Sequence, residues 1–275
     1  MRIIKYRAEL RQVLDAARCQ GAKVGMMGTS GALHDGHLSL VRGAVNENDI
    51  SAMFYGGGGG GPRLYDRDEK RDLALCEEAG MQIAYVPEPG DYMTGRESTV
   101  LSQPVLFGGD QQGMENPAHL HQITLAMAVL YNIFGPCRMY SGEKDWQQLA
   151  IFTRLAEDLR FPVTVVPCPT VRDADGLALS SRNVKLTPEQ RANAPLIYKS
   201  LQEAVAAIDE GERSLAKIKA MVAERVAPVG EIDYLVAVDP KEITPNDPMI
   251  GDVRLMLSVK VGEIRLLDNI GANAG

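Results

Sequence analysis

Between residues 24 and 166 short apolar runs alternate with amphipathic stretches, and this alternation limits the fold more than any other feature. Residues 24–27, 50–55, 81–86, 138–140 and 163–166 are predicted strands, while Leu38, Leu40, Val41 and Ala44 fall at helical spacing. Helices are predicted over 68–79, closed by Gly80, and over 122–134 and 147–159. A helix over 8–20, with Leu10, Val13, Leu14 and Ala17 on one face, precedes them and ends at Gly21. Strands alternating with helices require right-handed crossovers and a parallel sheet. Ligands of such sheets bind beyond the carboxyl ends of the strands.

Past residue 170 the pattern changes. Residues 188–208 and 215–227 read as two helices, and 233–238, 254–261 and 263–267 as strands, an α+β module. A chain of 275 residues accommodates two cores. The expected division is a Rossmann-like domain with a parallel sheet over 1–170 and a smaller α+β C-terminal domain over 171–275.

A formal net charge of −7 argues against a non-specific grip on nucleic acid, which requires many lysines and arginines against phosphates. No apolar run approaches a membrane-spanning length, so no membrane partner is expected. Cys19, Cys76, Cys137 and Cys168 lack Cys-x-x-Cys spacing and read as reduced thiols of a cytoplasmic protein. Small molecules are the expected partners.

All four histidines fall in two windows, His34 with His37 and His119 with His121. His34-Asp35-Gly36-His37 follows a predicted strand and opens a predicted helix, where the backbone favours anionic phosphate. Gly31 and Gly36 bracket the segment and permit close approach of a ligand. The alternative is one histidine capping the helix and the other packing or facing solvent. The spacing does not suit a helical zinc pair, which prefers i and i+4, and no metal ligands are assigned.

Two further segments carry chemistry. In Ser141-Gly142-Glu143-Lys144-Asp145, at a strand end, Lys144 can meet phosphate oxygens and Asp145 can hold a ribose hydroxyl or orient the lysine; the alternative is a charged turn. In Leu179-Ser180-Ser181-Arg182-Asn183, two hydroxyls and a guanidinium make a flexible clamp for departing pyrophosphate; the alternative is a helix N-cap followed by a surface arginine.

Together, the stretch from Thr29 and Ser30 to Val41, the Gly142-Glu143-Lys144-Asp145-Trp146-Gln147-Gln148-Leu149 stretch and the Asp175 to Asn183 stretch resemble the pantothenate synthetase family, in order and at similar separations. The likeness extends to Arg265-Leu266-Leu267-Asp268-Asn269 and so covers nearly the whole chain. It implies a nucleotidyltransferase-type Rossmann domain, a C-terminal lid domain and a homodimer. It also implies condensation of pantoate with β-alanine through an acyl-adenylate, with ATP and Mg²⁺, releasing AMP and pyrophosphate. The implied ATP site comprises Ser30, Gly31, Ala32, Leu33, His34, Asp35, Gly36, His37, Gly142, Glu143, Lys144, Asp145, Val171, Leu179, Ser180, Ser181 and Arg182. His34, His37, Lys144 and Arg182 take the catalytic roles, and Thr29, Gln148 and His119 the substrate-binding ones.

The chain departs from the family around the acid pocket. Gly28 and Ser30 stand for proline and methionine, Asn116 for arginine, and Ser141 for an aromatic residue. Six glycines, 56–61, replace a Val-Asn-Pro-x-Gln-Phe segment and remove a glutamine that the family uses to hold pantoate. Ordering so permissive a backbone costs about 1 kcal/mol or more per residue, so a weak hold on pantoate is expected. Three readings follow: a pantothenate synthetase with a divergent pocket, a paralogue ligating another acid and amine, or a nucleotide-binding dimer with little ligase activity.

Overall fold

The computed structural model describes residues 1–56, 68–103 and 117–275. All but the first of the six glycines lie outside the described residues, as does Asn116. The described chain forms two compact units. The first contains residues 1–102, 117–143 and 151–169; the second contains 103, 144–150 and 170–275.

In the first unit the chain runs β1 (Arg2–Ile4), α1 (Arg7–Arg18), β2 (Val24–Thr29), α2 (Asp35–Asn46), β3 (Ile50–Tyr55), α3 (Glu69–Glu78), β4 (Ile83–Tyr85), α4 (Pro117–Phe134) and β5 (Cys137–Gly142). After β5 come α5 (Trp146–Asp158), whose first turn belongs to the second unit, and β6 (Val163–Cys168). The six strands form one parallel sheet in the order β1-β4-β3-β2-β5-β6. The Rossmann-like parallel sheet predicted from the alternation is therefore present. Because β2 lies between β3 and β5, the order reverses there, and the carboxyl ends of β2 and β5 form the switch point at which sheets of this kind bind ligands. Met27, Met53, Tyr55, Val41 and Cys76 pack between this sheet and its helices. Hydrophobic burial of this kind drives the assembly, at about 25 cal/mol per Å² of apolar surface.

The second unit contains α6 (Pro188–Asn193), α7 (Leu196–Asp209), α8 (Leu215–Val226) and an antiparallel sheet β7 (Glu231–Val238), β8 (Asp252–Val261) and β9 (Ile264–Asn273). Leu201, Ile208 and Val222 of the helices meet Leu255, Leu257 and Leu266 of the sheet in its core.

Three expectations change. The single helix over 188–208 is two, because Pro195 lacks an N–H and its ring clashes with the preceding turn, ending α6 at Asn193. The strand expected over 263–267 continues to Asn273, since pairing with β8 outweighs the poor strand propensity of Asp268, Asn269 and Gly271. β1 was not expected. Its three residues are too few for periodicity, and they form a strand by pairing with β4.

Candidate functional site

Thr29 ends β2, and the chain then turns through two left-handed residues, Gly31 at φ 101° and Ala32 at φ 56°. Left-handed backbone is natural for glycine but strained for alanine. The strain at Ala32 is offset by Asp72 of α3, whose carboxylate is fully buried. Asp72 accepts from the backbone N–H of Ala32 at 2.8 Å, from that of Leu33 at 3.0 Å and from the Tyr55 hydroxyl at 3.0 Å. An ionised carboxylate is an acceptor-only group, which suits three converging donors. Thr29 Oγ1 accepts from the Gly31 N–H at 3.1 Å and tightens the same turn.

This turn delivers His34 to the N-cap of α2. His34 Nδ1 accepts from the Gly36 N–H at 3.1 Å, and His37 Nδ1 accepts from the His34 N–H at 3.4 Å, a reciprocal capping box. The two rings lie 4.2 Å apart. A ring nitrogen that accepts carries no proton, so Nδ1 is the acceptor of each ring, and the two capping bonds set the orientation of both imidazoles. His34 is thus a cap, and it is also oriented by capping. The helix-terminal amides of His34 and Gly36 are engaged by imidazoles, which leaves the helix dipole as the feature of this terminus that favours an anion.

At the adjacent strand β5, Gly142 occupies the carboxyl end. A Cβ at Gly142 would meet no atom within 4 Å outside its chain neighbours, so neither packing at that atom nor φ demands glycine there. Open space beside a strand end leaves room for a ligand against the backbone. Of the expected substrate-binding residues in this unit, Thr29 is buried in the turn and His119 is exposed on the first turn of α4.

In the second unit, Lys144 lies within the 3-10 turn Glu143–Asp145, with its Nζ 3.4 Å from Asp145 Oδ1. The Lys144 carbonyl accepts from Asn269 Nδ2 at 2.8 Å. Trp146 donates to the Pro240 carbonyl at 2.8 Å, and the Arg254 guanidinium stacks 3.3 Å over its ring. Gln148, on the same short segment, is half-buried.

Residues 171–179 form a hairpin in which Leu179 N–H donates to the Val171 carbonyl at 3.0 Å. Ser180 to Asn183 is hydrogen-bonded, not a loose clamp. Ser180 Oγ accepts from the Arg182 N–H at 3.2 Å, Asn183 donates to the Ala178 carbonyl at 3.0 Å, and Arg182 Nη1 donates to the Arg265 carbonyl at 3.1 Å. Arg182 is the N-cap of the 3-10 turn Asn183–Lys185 and makes no side-chain capping bond, and the segment does not cap an α-helix. That role falls to Thr187, in a capping box with Gln190 at the start of α6.

The structure therefore brings Thr29, the 30–37 turn and Gly142 to one sheet edge in the first unit, and mounts the Lys144 turn and the 171–182 segment in the second. Sequence reasoning missed Asp72, Arg172 and the roles of Asp268 and Asn269. Among the described residues no group of three or more His, Cys, Asp or Glu side chains is placed to hold a metal ion. No helix among them is long and apolar enough to cross a membrane.

A parallel sheet with capped, glycine-flanked loops at its switch point defines a Rossmann-like protein with a ligand crevice at the strand ends. Residues 2–271 match the pantoate-beta-alanine ligase family, and the chain belongs to that family of ligases. Pantothenate synthetase 1 of Frankia alni is 43% identical over 96% of each chain, and pantothenate synthetase of Aquifex aeolicus 38% identical over 97% of each. The crystal structure of pantothenate synthetase from Thermus thermophilus superposes with a TM-score of 0.87 at 35% identity, covering 98% of this chain and 99% of that one. These matches do not favour the alternatives of another acid–amine pair or of a dimer with little ligase activity.

Proposed function

We propose that the protein condenses pantoate with β-alanine at the expense of ATP, through a pantoyl-adenylate, releasing AMP and pyrophosphate. The observation that carries this reading is the His34–His37 capping box at the switch point, which fixes the orientation of two imidazoles at the N-terminus of α2. Attack of the pantoate carboxylate on the α-phosphorus spreads negative charge over phosphate oxygens. His34, His37, Lys144 and Arg182 stabilise that charge, and donors held in place before reaction lose no reorganisation energy during it. The amine of β-alanine then attacks the mixed anhydride, forming the amide and expelling AMP, while water is kept out.

Ser30 to His37, Gly142 to Asp145, Val171 and Leu179 to Arg182 bind ATP in this reading; Thr29, Gln148 and His119 serve the other substrates. Mg²⁺ would be held chiefly by the triphosphate, with one or two protein carboxylates rather than a closed cage, and would neutralise charge on the phosphates. Asp145, half exposed beside Lys144, fits that requirement. The first domain, 1–170, binds ATP and acid, and the second, 171–275, serves as the lid. The chain works as a homodimer in the cytoplasm, so sedimentation should give about twice the 29.9 kDa of one chain.

Pyrophosphate exchange with a panel of carboxylic acids tests the reaction, because it reports adenylation before any amine is chosen. Exchange dependent on pantoate is expected. Exchange with some other acid alone, or with none, rejects the reading.

A further inference from the structure

The Arg265-Leu266-Leu267-Asp268-Asn269 stretch has no part in the chemistry above, yet β9 touches both segments of the second unit assigned to the nucleotide. Side chains alternate across a strand, so Asp268 and Asn269 address opposite faces of the sheet. Leu266 and Ile270 share the Asp268 face and join the core against α7 and α8. Asn269 lies on the other face, opposite Met256 of β8.

On the core face, Asp268 is 4% exposed and takes a bidentate pair from Arg172, at 2.7 and 2.9 Å. The same guanidinium donates to the Gly176 carbonyl at 3.1 Å and stacks 3.4 Å over the Tyr198 ring. It thereby ties the first arm of the 171–179 hairpin to its turn. A bidentate carboxylate pair sets the orientation of the guanidinium as well as its distance. On the other face, Asn269 is 6% exposed and donates to the Lys144 carbonyl, 125 residues away in sequence. Asp268 Oδ1 also accepts from the Asn269 N–H at 2.8 Å, tying the two anchor points together.

We propose that Asp268 and Asn269 are positioning residues for nucleotide binding: Asn269 seats the Lys144 turn, and Asp268, through Arg172, seats the hairpin leading into Ser180, Ser181 and Arg182. One strand thereby sets the spacing of two phosphate-facing segments. The inference rests on the reading of Lys144 and Arg182 as nucleotide contacts. It explains why two adjacent polar residues interrupt a strand that otherwise buries apolar side chains.

A double-mutant cycle tests it. Asn269→Asp keeps the volume and replaces the donor by an acceptor facing the Lys144 carbonyl; Lys144→Ala removes the ammonium and keeps that carbonyl. ATP affinity by calorimetry and pantoate-dependent exchange are measured for the wild type, both single variants and the double variant. Asn269→Asp should weaken ATP binding and slow exchange, each about tenfold, and should add less than about twofold once Lys144 is alanine. A residue that merely supports the fold lowers all four proteins independently, so additive losses overturn the proposal. If the aspartate variant does not fold, Asn269→Ser takes its place in the same cycle. Coupled losses in ATP affinity without pantoate-dependent exchange uphold the positioning role and reject only pantoate as the acid. A Lys144→Ala protein that binds ATP as the wild type does overturns both the reading of Lys144 and the proposal.

Discussion

The imidazole of His37 is held in orientation by the His34 backbone N–H that its Nδ1 accepts. Such a group contributes most where charge accumulates in the transition state. His37→Ala is expected to slow adenylate formation more than it weakens ATP binding, as single-turnover rates beside equilibrium titration will show; equal losses make His37 a uniform binding residue. Lys144→Ala should reduce exchange roughly a hundredfold, the effect of removing one contact to developing charge. Its thermal midpoint should stay close to that of the wild type, because the side chain sits in a turn and not in either core. Arginine should rescue it poorly, since a planar fork does not reproduce a point charge. Gly142→Val inserts a side chain into open space, so the fold should tolerate it while ATP affinity falls; unchanged affinity would place the nucleotide away from the end of β5.

At the level of elements, the β2–α2 turn depends on a residue two elements downstream. Asp72→Ala strands two backbone donors and a tyrosine hydroxyl inside the protein, at about 1–3 kcal/mol for each unsatisfied group. Denaturant titration should show a loss of several kcal/mol, and Asp72→Asn, which keeps one acceptor, an intermediate loss. A signal for this residue was present: Asp72 lies four positions before Cys76, on the face of α3 that the structure buries. The prediction of a helix over 68–79 assigned no face to it and so passed over this carboxylate. Strands β2, β3 and β5 were legible because each is a largely buried run, and β3 falls on the residues expected for it. Arg172 and Asn269 were not legible as partners of distant residues, since their contacts span 96 and 125 positions and no local pattern encodes such pairings. The end of β3 also constrains the glycine run, as a Cβ at Gly56 would clash with the Phe54 ring. Replacing residues 57–61 by Asn-Pro-Leu-Gln-Phe while keeping Gly56 is expected to lower the pantoate KM and leave ATP parameters nearly constant. Unchanged pantoate kinetics in the folded variant would remove that segment from the acid pocket.

Across the whole molecule the four thiols report packing. Burial pushes Cys76 and Cys137 up to about 12 and Cys168 up to about 11, whereas Cys19 is exposed at the end of α1. At pH 8 a thiol of pKa 11 is thiolate in only about one molecule in a thousand, and the thiolate is the nucleophile. A disulfide reagent should therefore label one thiol rapidly in the native protein and the other three only after unfolding; two or more rapid equivalents would contradict the packing around β5 and β6.

The assignment of residues 144–150 to the second unit has a bearing on how this gene can be divided. A break at residue 170, where the pattern of strands and helices changes, looks like a natural seam for expressing two halves or for exchanging a C-terminal half with a relative. A C-terminal half made that way leaves behind Trp146, on which Arg254 stacks, and the carbonyl that Asn269 holds. It would expose a sheet face built to receive that turn, and a chimera joined at the seam would set one parent's turn on the other parent's strands. Recombination across this family is better guided by the 144–150 segment travelling with β8 and β9 than by the linear order of the chain.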